Sequence, residues 1–79
     1  MSIQVLFFGA TADIVGKRSI EVELTSALKA SEIFGQLTIA HPSLAKHRLH
    51  FSINQQFATG EEIVRDGDEL AIFAAVSGG

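Results

Sequence analysis

Cysteine is absent from this 79-residue sequence, and its absence excludes three kinds of chemistry at once. Without a thiol the chain forms no disulfide, offers no thiolate to a metal ion and has no cysteine nucleophile. Any sulfur that this protein handles must therefore come from outside the chain.

An excess of basic residues is also lacking. Six Lys and Arg stand against nine Asp and Glu, which gives a net charge of −3, whereas proteins that bind nucleic acid need a basic face for the phosphates. No apolar run approaches the roughly 20 residues that span a bilayer, and residues 1–4 lack the basic start of a signal peptide. We therefore expect a cytoplasmic protein with neither nucleic acid nor membrane as a partner.

Side chains for catalysis within the chain are few. His41, His47 and His50 are the only imidazoles, and no acid lies between Glu32 and Glu61, so the carboxylate support typical of a metal site is missing nearby. We interpret the three histidines as one helix-end residue and two loop or strand residues, and expect no metal site.

Motifs for other kinds of site are also lacking. Asp-Gly-Asp at residues 66–68 lacks the additional ligands of a calcium loop and is typical of a turn. No serine lies in a nucleophile elbow, and no glycine-rich loop precedes a helix. The chain is therefore not expected to be an enzyme on its own.

The hydrophobic pattern predicts five strands and two helices. Alternation is clearest at residues 19–24, where Ile20, Val22 and Leu24 share one face. A main helix is predicted to start between residues 25 and 31 and to run to about residue 41, before Pro42, with its apolar stripe toward the sheet. The other predicted elements are a short helix at residues 10–15 and strands at residues 3–8, 49–53, 56–57 and 69–74, with residues 58–64 as a connector.

This order predicts an α+β fold. One helix must cover one face of a mixed sheet of about five strands, because a small chain builds only one core. We interpret it as a β-grasp (ubiquitin-like) roll whose first and last strands are central and parallel. The predicted domain spans residues 1–75, and residues 76–79 form a flexible Gly-Gly tail.

That tail, Val76-Ser77-Gly78-Gly79, is the most informative feature. Glycine lacks a Cβ, so the tail fits a narrow slot in another protein and leaves the Gly79 carboxylate open to attack. Adenylation by a separate ATP-using enzyme would give that carboxylate a leaving group, and a sulfur donor would then convert it to a thiocarboxylate. The alternative is a frayed end without function.

A second feature is the outer face of the predicted sheet. Gln4 marks that face in the first strand and Glu69 marks it in the last, which places Leu6, Phe8 and Phe73 outward. We expect Phe8 and Phe73 to form an exposed apolar patch near the tail, and such patches usually mark partner sites. The alternative is that a loop or the connector covers them.

Five motifs of the sequence point to a known family: VLFF at residues 5–8, IVG at 14–16, INQ at 53–55, RDGDELAIF at 65–73 and VSGG at 76–79. With these motifs the sequence resembles the small, sulfur-carrier subunit of molybdopterin synthase over essentially its whole length. The family usually has two prolines where this chain has Ala74-Ala75, and prolines there would stiffen the exit of the tail.

The resemblance implies a mechanism and a set of partners. An adenylating enzyme related to ubiquitin activators would use ATP and magnesium to activate Gly79, and a sulfur donor would form the thiocarboxylate. Val76, Ser77 and Gly78 would then enter the large catalytic subunit of the synthase, where sulfur passes to cyclic pyranopterin monophosphate during molybdenum cofactor biosynthesis. The resemblance also implies that Phe8, Phe57 and Phe73 contact the large subunit, and that two small and two large subunits form a heterotetramer.

Three alternatives stay open at this stage. A thiamine-pathway sulfur carrier shares the fold, the Gly-Gly end and an Asn-Gln-Gln stretch like that at residues 54–56, although the thiamine carriers are shorter in the region of residues 9–16. A protein modifier would instead be joined through Gly79 to lysines of its targets. A plain interaction module would keep its function without Gly79.

Overall fold

The computed structural model describes residues 1–46 and 48–74, and the elements follow the predicted order. Helix α2 begins within the predicted window, and strands β4 and β7 and helix α1 have the predicted bounds. The strands are β1 (Ser2–Phe8), β2 (Ser19–Glu23), β3 (Leu28–Lys29), β4 (Leu49–Ile53), β5 (Gln56–Ala58), β6 (Ile63–Val64) and β7 (Glu69–Ala74), and the helices are α1 (Ala10–Val15), α2 (Ala30–Ala40) and a 3₁₀ helix (Pro42–Lys46).

The main sheet has five strands in the order β2-β1-β7-β4-β5. β1 and β7 are parallel, and Val5 is the Cα partner of Leu70; the other pairings in this sheet are antiparallel. The predicted β-grasp arrangement, with the first and last strands parallel neighbours inside the sheet, is confirmed.

The core lies between this sheet and α2. Period-two alternation in β1 buries Ile3, Val5 and Phe7 on the same face. Ile33 and Leu37, one helical turn apart on α2, belong to the same buried cluster. Consequently the helix covers one face of the sheet, and the opposite face is left for the side chains at alternate positions of β1 and β7.

The predicted connector at residues 58–64 contains one strand that the sequence pattern missed. Ile63 and Val64 form β6, which pairs with β3 in a small second sheet. The connector is also held by Glu62, whose carboxylate accepts hydrogen bonds from the backbone N–H of Thr59 at 2.9 Å and of Gly60 at 3.0 Å. These backbone hydrogen bonds, led by that from Thr59, lower the pKa of Glu62.

The turn between β4 and β5 is formed by Asn54 and Gln55, as predicted. Both have positive φ, 50° and 71°, the left-handed geometry of the tight turns that suit hairpins. The Asn54 amide donates to Asp68 at 3.0 Å and accepts from the Glu69 backbone N–H at 3.0 Å. The turn is thereby joined to the start of β7.

Asp68 organises the turn before β7. One of its carboxylate oxygens accepts the Arg65 backbone N–H at 2.8 Å, and the other accepts the Asn54 amide. The hydrogen bond from Arg65 and then that from Asn54 lower the pKa of Asp68 below its ordinary value of 3.8. The charged carboxylate therefore stabilises the folded state more than the unfolded one.

We predict that Asp68→Asn lowers the free energy of unfolding, and that the loss depends on pH. Because the pKa of Asp68 is lower in the folded state, its contribution is fully present above the unfolded value and is lost as pH falls through the folded value. Urea unfolding of both proteins at pH 7 and at steps below pH 3.8 measures the difference. A difference that stays constant down to the lowest pH would contradict this assignment.

Candidate docking site

The exposed aromatic residues lie together on the face of the sheet opposite α2. Phe8 ends β1 and is 52% exposed, and its Cα partner across the parallel pair is Phe73. Phe57, on the edge strand β5, is 84% exposed, and its ring centroid lies 6.0 Å from that of Phe73. His50 adds a fourth ring, 5.8 Å from Phe73. We call Phe8, His50, Phe57 and Phe73 the aromatic patch.

The prediction that Phe73 is exposed needs a correction. Phe73 does lie on the predicted outer face, but it is half-buried because the rings of His50 and Phe57 lie against it. Both neighbouring rings belong to strands of the same sheet, β4 and β5. Phe73 is thus the centre of the patch, with exposed rings around it.

An open groove of about 430 Å³ borders the aromatic patch on the side of β2. Phe8 lines both the patch and the groove, and Arg18 places a cationic group in the groove lining. The backbone of Arg18 is fixed, because its carbonyl accepts the Phe7 N–H at 2.8 Å. The complete lining is Leu6, Phe7, Phe8, Gly9, Ala12, Arg18 and Ser19.

Thr11 is a residue of this region that the sequence did not single out. It is 0% exposed, and it is the buried polar side chain among the described residues. Its hydroxyl accepts the Phe8 N–H at 3.0 Å and lies 2.8 Å from the carbonyl oxygens of both Phe8 and Ile72. Its single proton is donated to one of these two carbonyl oxygens at a time. Thr11 therefore joins the ends of β1 and β7 beside the patch.

The predicted tail lies outside the described residues. Val76, Ser77, Gly78 and Gly79 are all in this part of the chain, and Ala74 is the last residue described. The structure therefore describes the strand that precedes the tail, as far as Ala74. Ala74 comes directly after Phe73 in β7, and in the sequence the tail begins three residues after Phe73, at Val76.

Of the three histidines considered as metal ligands, one belongs to the aromatic patch. His41 follows α2, and His50 is on β4 within the patch, while His47 lies outside the described residues. Among residues 1–46 and 48–74 no group of three or more His, Asp or Glu is placed to hold a metal ion. In the same part of the chain no helix has the length and apolar content to cross a membrane.

Comparison with known proteins shows the family. The model described as the ThiS family matches residues 5–79, which include both the sheet and the Gly-Gly tail. The chain belongs to the ThiS family. Its ubiquitin-like β-grasp fold, seen in the strand order of the main sheet, is the one that the sequence predicted.

Several relatives of this chain share one name. The molybdopterin synthase sulfur carrier subunit of Haemophilus influenzae is 34% identical over 80 residues, covering 98% of this chain and 99% of the relative. The human protein of the same name is 29% identical over 82 residues, covering 98% and 93%. The ThiS-family chain is thus similar along its whole length to proteins named as sulfur-carrier subunits.

A solved structure adds a second kind of relative. The crystal structure of SAMP1, the small archaeal modifier protein 1 of Haloferax volcanii, superposes with a TM-score of 0.84. It is 27% identical and covers 100% of both chains. Members of the same fold are therefore named both as sulfur carriers and as modifiers.

Proposed function

We propose that this protein is the sulfur-carrier subunit of a molybdopterin synthase. The observation that supports the proposal best is the position of the aromatic patch, which immediately precedes a Gly-Gly tail in a chain similar throughout to sulfur-carrier subunits. In this proposal the aromatic patch binds the partner, and the tail that follows it in the sequence reaches into the partner's active site.

In the proposed reaction the Gly79 carboxylate is the working group. An adenylating enzyme uses ATP and magnesium, so that a carboxylate oxygen attacks the α-phosphorus and pyrophosphate leaves. Sulfide from a sulfur donor then attacks the acyl carbon, adenylate departs, and a thiocarboxylate forms at Gly79. Finally the sulfur forms a bond to cyclic pyranopterin monophosphate, water attacks the acyl carbon, and the acyl C–S bond breaks to return the Gly79 carboxylate. This chain supplies the sulfur but not the catalytic residues.

The steric demands of this reaction match the tail sequence. Gly78 and Gly79 have no side chain that would block the approach of a nucleophile to the acyl carbon. The chain itself has no cysteine, so the thiocarboxylate is its one nucleophilic sulfur. The proposal places the reaction in the cytoplasm, where ATP is supplied.

The proposed partner is the large catalytic subunit, in a heterotetramer of two small and two large subunits. The aromatic patch suits such a partner because clustered aromatic rings supply much of the binding energy at interfaces. Phe57 is largely exposed in the free chain, at 84%, and gains most from being covered. Val76, Ser77 and Gly78 connect the patch to the reacting carboxylate.

A second candidate function is a protein modifier, and the similarity to SAMP1 is the observation that favours it. Both functions begin with activation of the Gly79 carboxylate. They differ in the nucleophile that follows, which is sulfur for a carrier and a lysine amine of a target protein for a modifier.

Copurification from the native cells tests the proposal. We expect the tagged chain to retain a large synthase subunit, with a 1:1 ratio of the two chains. Recovery of a thiazole synthase instead would assign the thiamine pathway. Isopeptide-linked species containing Gly79 without either partner would contradict the carrier function and favour the modifier.

A further inference from the structure

Thr11 lies where the two parts of the proposed site meet. Its hydroxyl holds the last backbone amide of β1, at Phe8, and lies within hydrogen-bond distance of the Ile72 carbonyl in β7, 61 residues away. Phe8 belongs to the aromatic patch, and Ile72 directly precedes Phe73, another patch residue. One buried hydroxyl therefore touches both the patch and the strand that leads to the tail.

The hydroxyl adds a side-chain contact at the last pairs of the ladder between β1 and β7. The register of this parallel pair runs through Phe7–Ile72 to Phe8–Phe73, so the Ile72 carbonyl lies within the ladder. After Phe8 the chain turns at Gly9, whose φ is +59°, and enters α1. Thr11, on α1, thereby places its hydroxyl beside the backbone of both strands where β1 ends.

We propose that Thr11 is a positioning residue, which fixes the end of β1 and the end of β7 relative to each other where the aromatic patch lies. This inference rests on the proposed function, since it concerns how the docked chain presents Gly79. With the patch bound to a partner, the direction of β7 determines where the tail enters. Without the hydroxyl the ends of β1 and β7 keep their backbone ladder but lose this side-chain contact.

Substitution of Thr11 should affect binding to the large subunit and transfer of sulfur differently. The rings of the aromatic patch remain in any Thr11 variant, so the affinity for the large subunit should change little. Transfer requires the reacting atoms to be placed within about 1 Å, and a misplacement of that size costs up to about 100-fold in rate. Loss of the Thr11 hydroxyl should therefore lower the rate of sulfur transfer at saturating large subunit far more than it changes the dissociation constant of the two subunits.

The test compares Thr11→Val, which keeps the shape and removes the hydroxyl, with Thr11→Ser, which keeps the hydroxyl. Each chain is loaded with sulfur, and the single-turnover rate of transfer is measured at saturating large subunit, below every melting temperature. We expect Thr11→Val to transfer about tenfold more slowly or worse, with a dissociation constant within about threefold of the original. Thr11→Ser should restore the rate to within about threefold.

Val64→Ala is the matched control for lost stability. Val64 is 0% exposed but belongs to the small second sheet, so the variant loses core packing without touching the Thr11 contacts. It should melt at a lower temperature and transfer at the original rate. Original-rate transfer by Thr11→Val, or equally slow transfer by Thr11→Ser, would overturn the inference.

Amide hydrogen exchange provides a readout that does not depend on sulfur chemistry. The Phe8 amide should exchange faster in Thr11→Val than in the original chain, in Thr11→Ser or in Val64→Ala. Unchanged exchange at Phe8 would overturn the positioning role even if no chain transferred sulfur. Failure of the original chain to load or transfer sulfur would instead contradict the proposed function.

Discussion

Removal of Gly79 is expected to lower the rate of adenylation by about 100-fold or more while leaving the fold intact. The shortened chain would end in another glycine, Gly78, so its terminal carboxylate would be chemically similar but about 3.5 Å short of the original position. Because displacements of about 1 Å already cost up to about 100-fold, position alone should abolish useful activation. Intact mass after incubation with the adenylating enzyme, ATP and sulfur donor measures the product.

A chain extended by one additional glycine is the matched control for this deletion. It moves the carboxylate by the same distance in the opposite direction and should lose activation as well. Both variants should keep the original melting temperature, because Ile72 is the last member of the buried cluster among residues 1–46 and 48–74. Full function of the deleted chain in cells would favour the plain interaction module.

Truncation of Phe57 is expected to weaken binding to the large subunit by about 2 kcal/mol, or about 30-fold. Phe57 is 84% exposed, so Phe57→Ala loses little packing in the free chain and its effect on binding is not confused with unfolding. Its ring lies beside Phe73 at the centre of the patch. Titration calorimetry of the two subunits measures the dissociation constant.

The chain offers a closely matched control in Ile39→Ala. Ile39 is also a large apolar residue and is 82% exposed, but it lies on α2, which covers the other face of the sheet. Its truncation should change the binding free energy by less than about 0.5 kcal/mol. Equal effects of the two variants would contradict the assignment of the interface to the aromatic patch.

The sequence predicted the main sheet because its strands have strong local signals. Alternation places Ile3, Val5 and Phe7 on one face, and a two-residue hairpin turn such as that at Asn54-Gln55 requires the positive φ angles that both residues show. Such features are short-range, so they are visible without any knowledge of the tertiary structure. The parallel pairing of β1 and β7 followed from the β-grasp interpretation, in which one helix covers one face of one sheet.

The elements that the sequence missed depend on contacts between distant residues. β3 and β6 have two residues each, too few for a periodic pattern, and each is a strand only because the other lies beside it. The chain also continues beyond Pro42 as a 3₁₀ helix, since proline is compatible with the first turn of a helix. The predicted stop of α2 before Pro42 is nevertheless confirmed.

For the candidate site, strand parity identified the face but not the packing on it. Phe8 and Phe73 were placed outward from Gln4 and Glu69 alone, whereas the half-burial of Phe73 depends on rings from β4 and β5. Phe57 came from the family resemblance, because a three-residue edge strand gives no parity signal. Thr11 gave no local signal, since its partner Ile72 is 61 residues away.

The central claim is that Gly79 carries sulfur, and intact mass before and after thiol alkylation tests it most directly on protein isolated from its own cells. The alkylation step is needed because oxidation of Met1, the one methionine, adds nearly the same mass as exchange of oxygen for sulfur. The account predicts a fraction that reacts with the alkylating reagent at Gly79, in a chain without cysteine. A chain that stays unreactive even after incubation with adenylating enzyme, ATP and sulfur donor would contradict the carrier function.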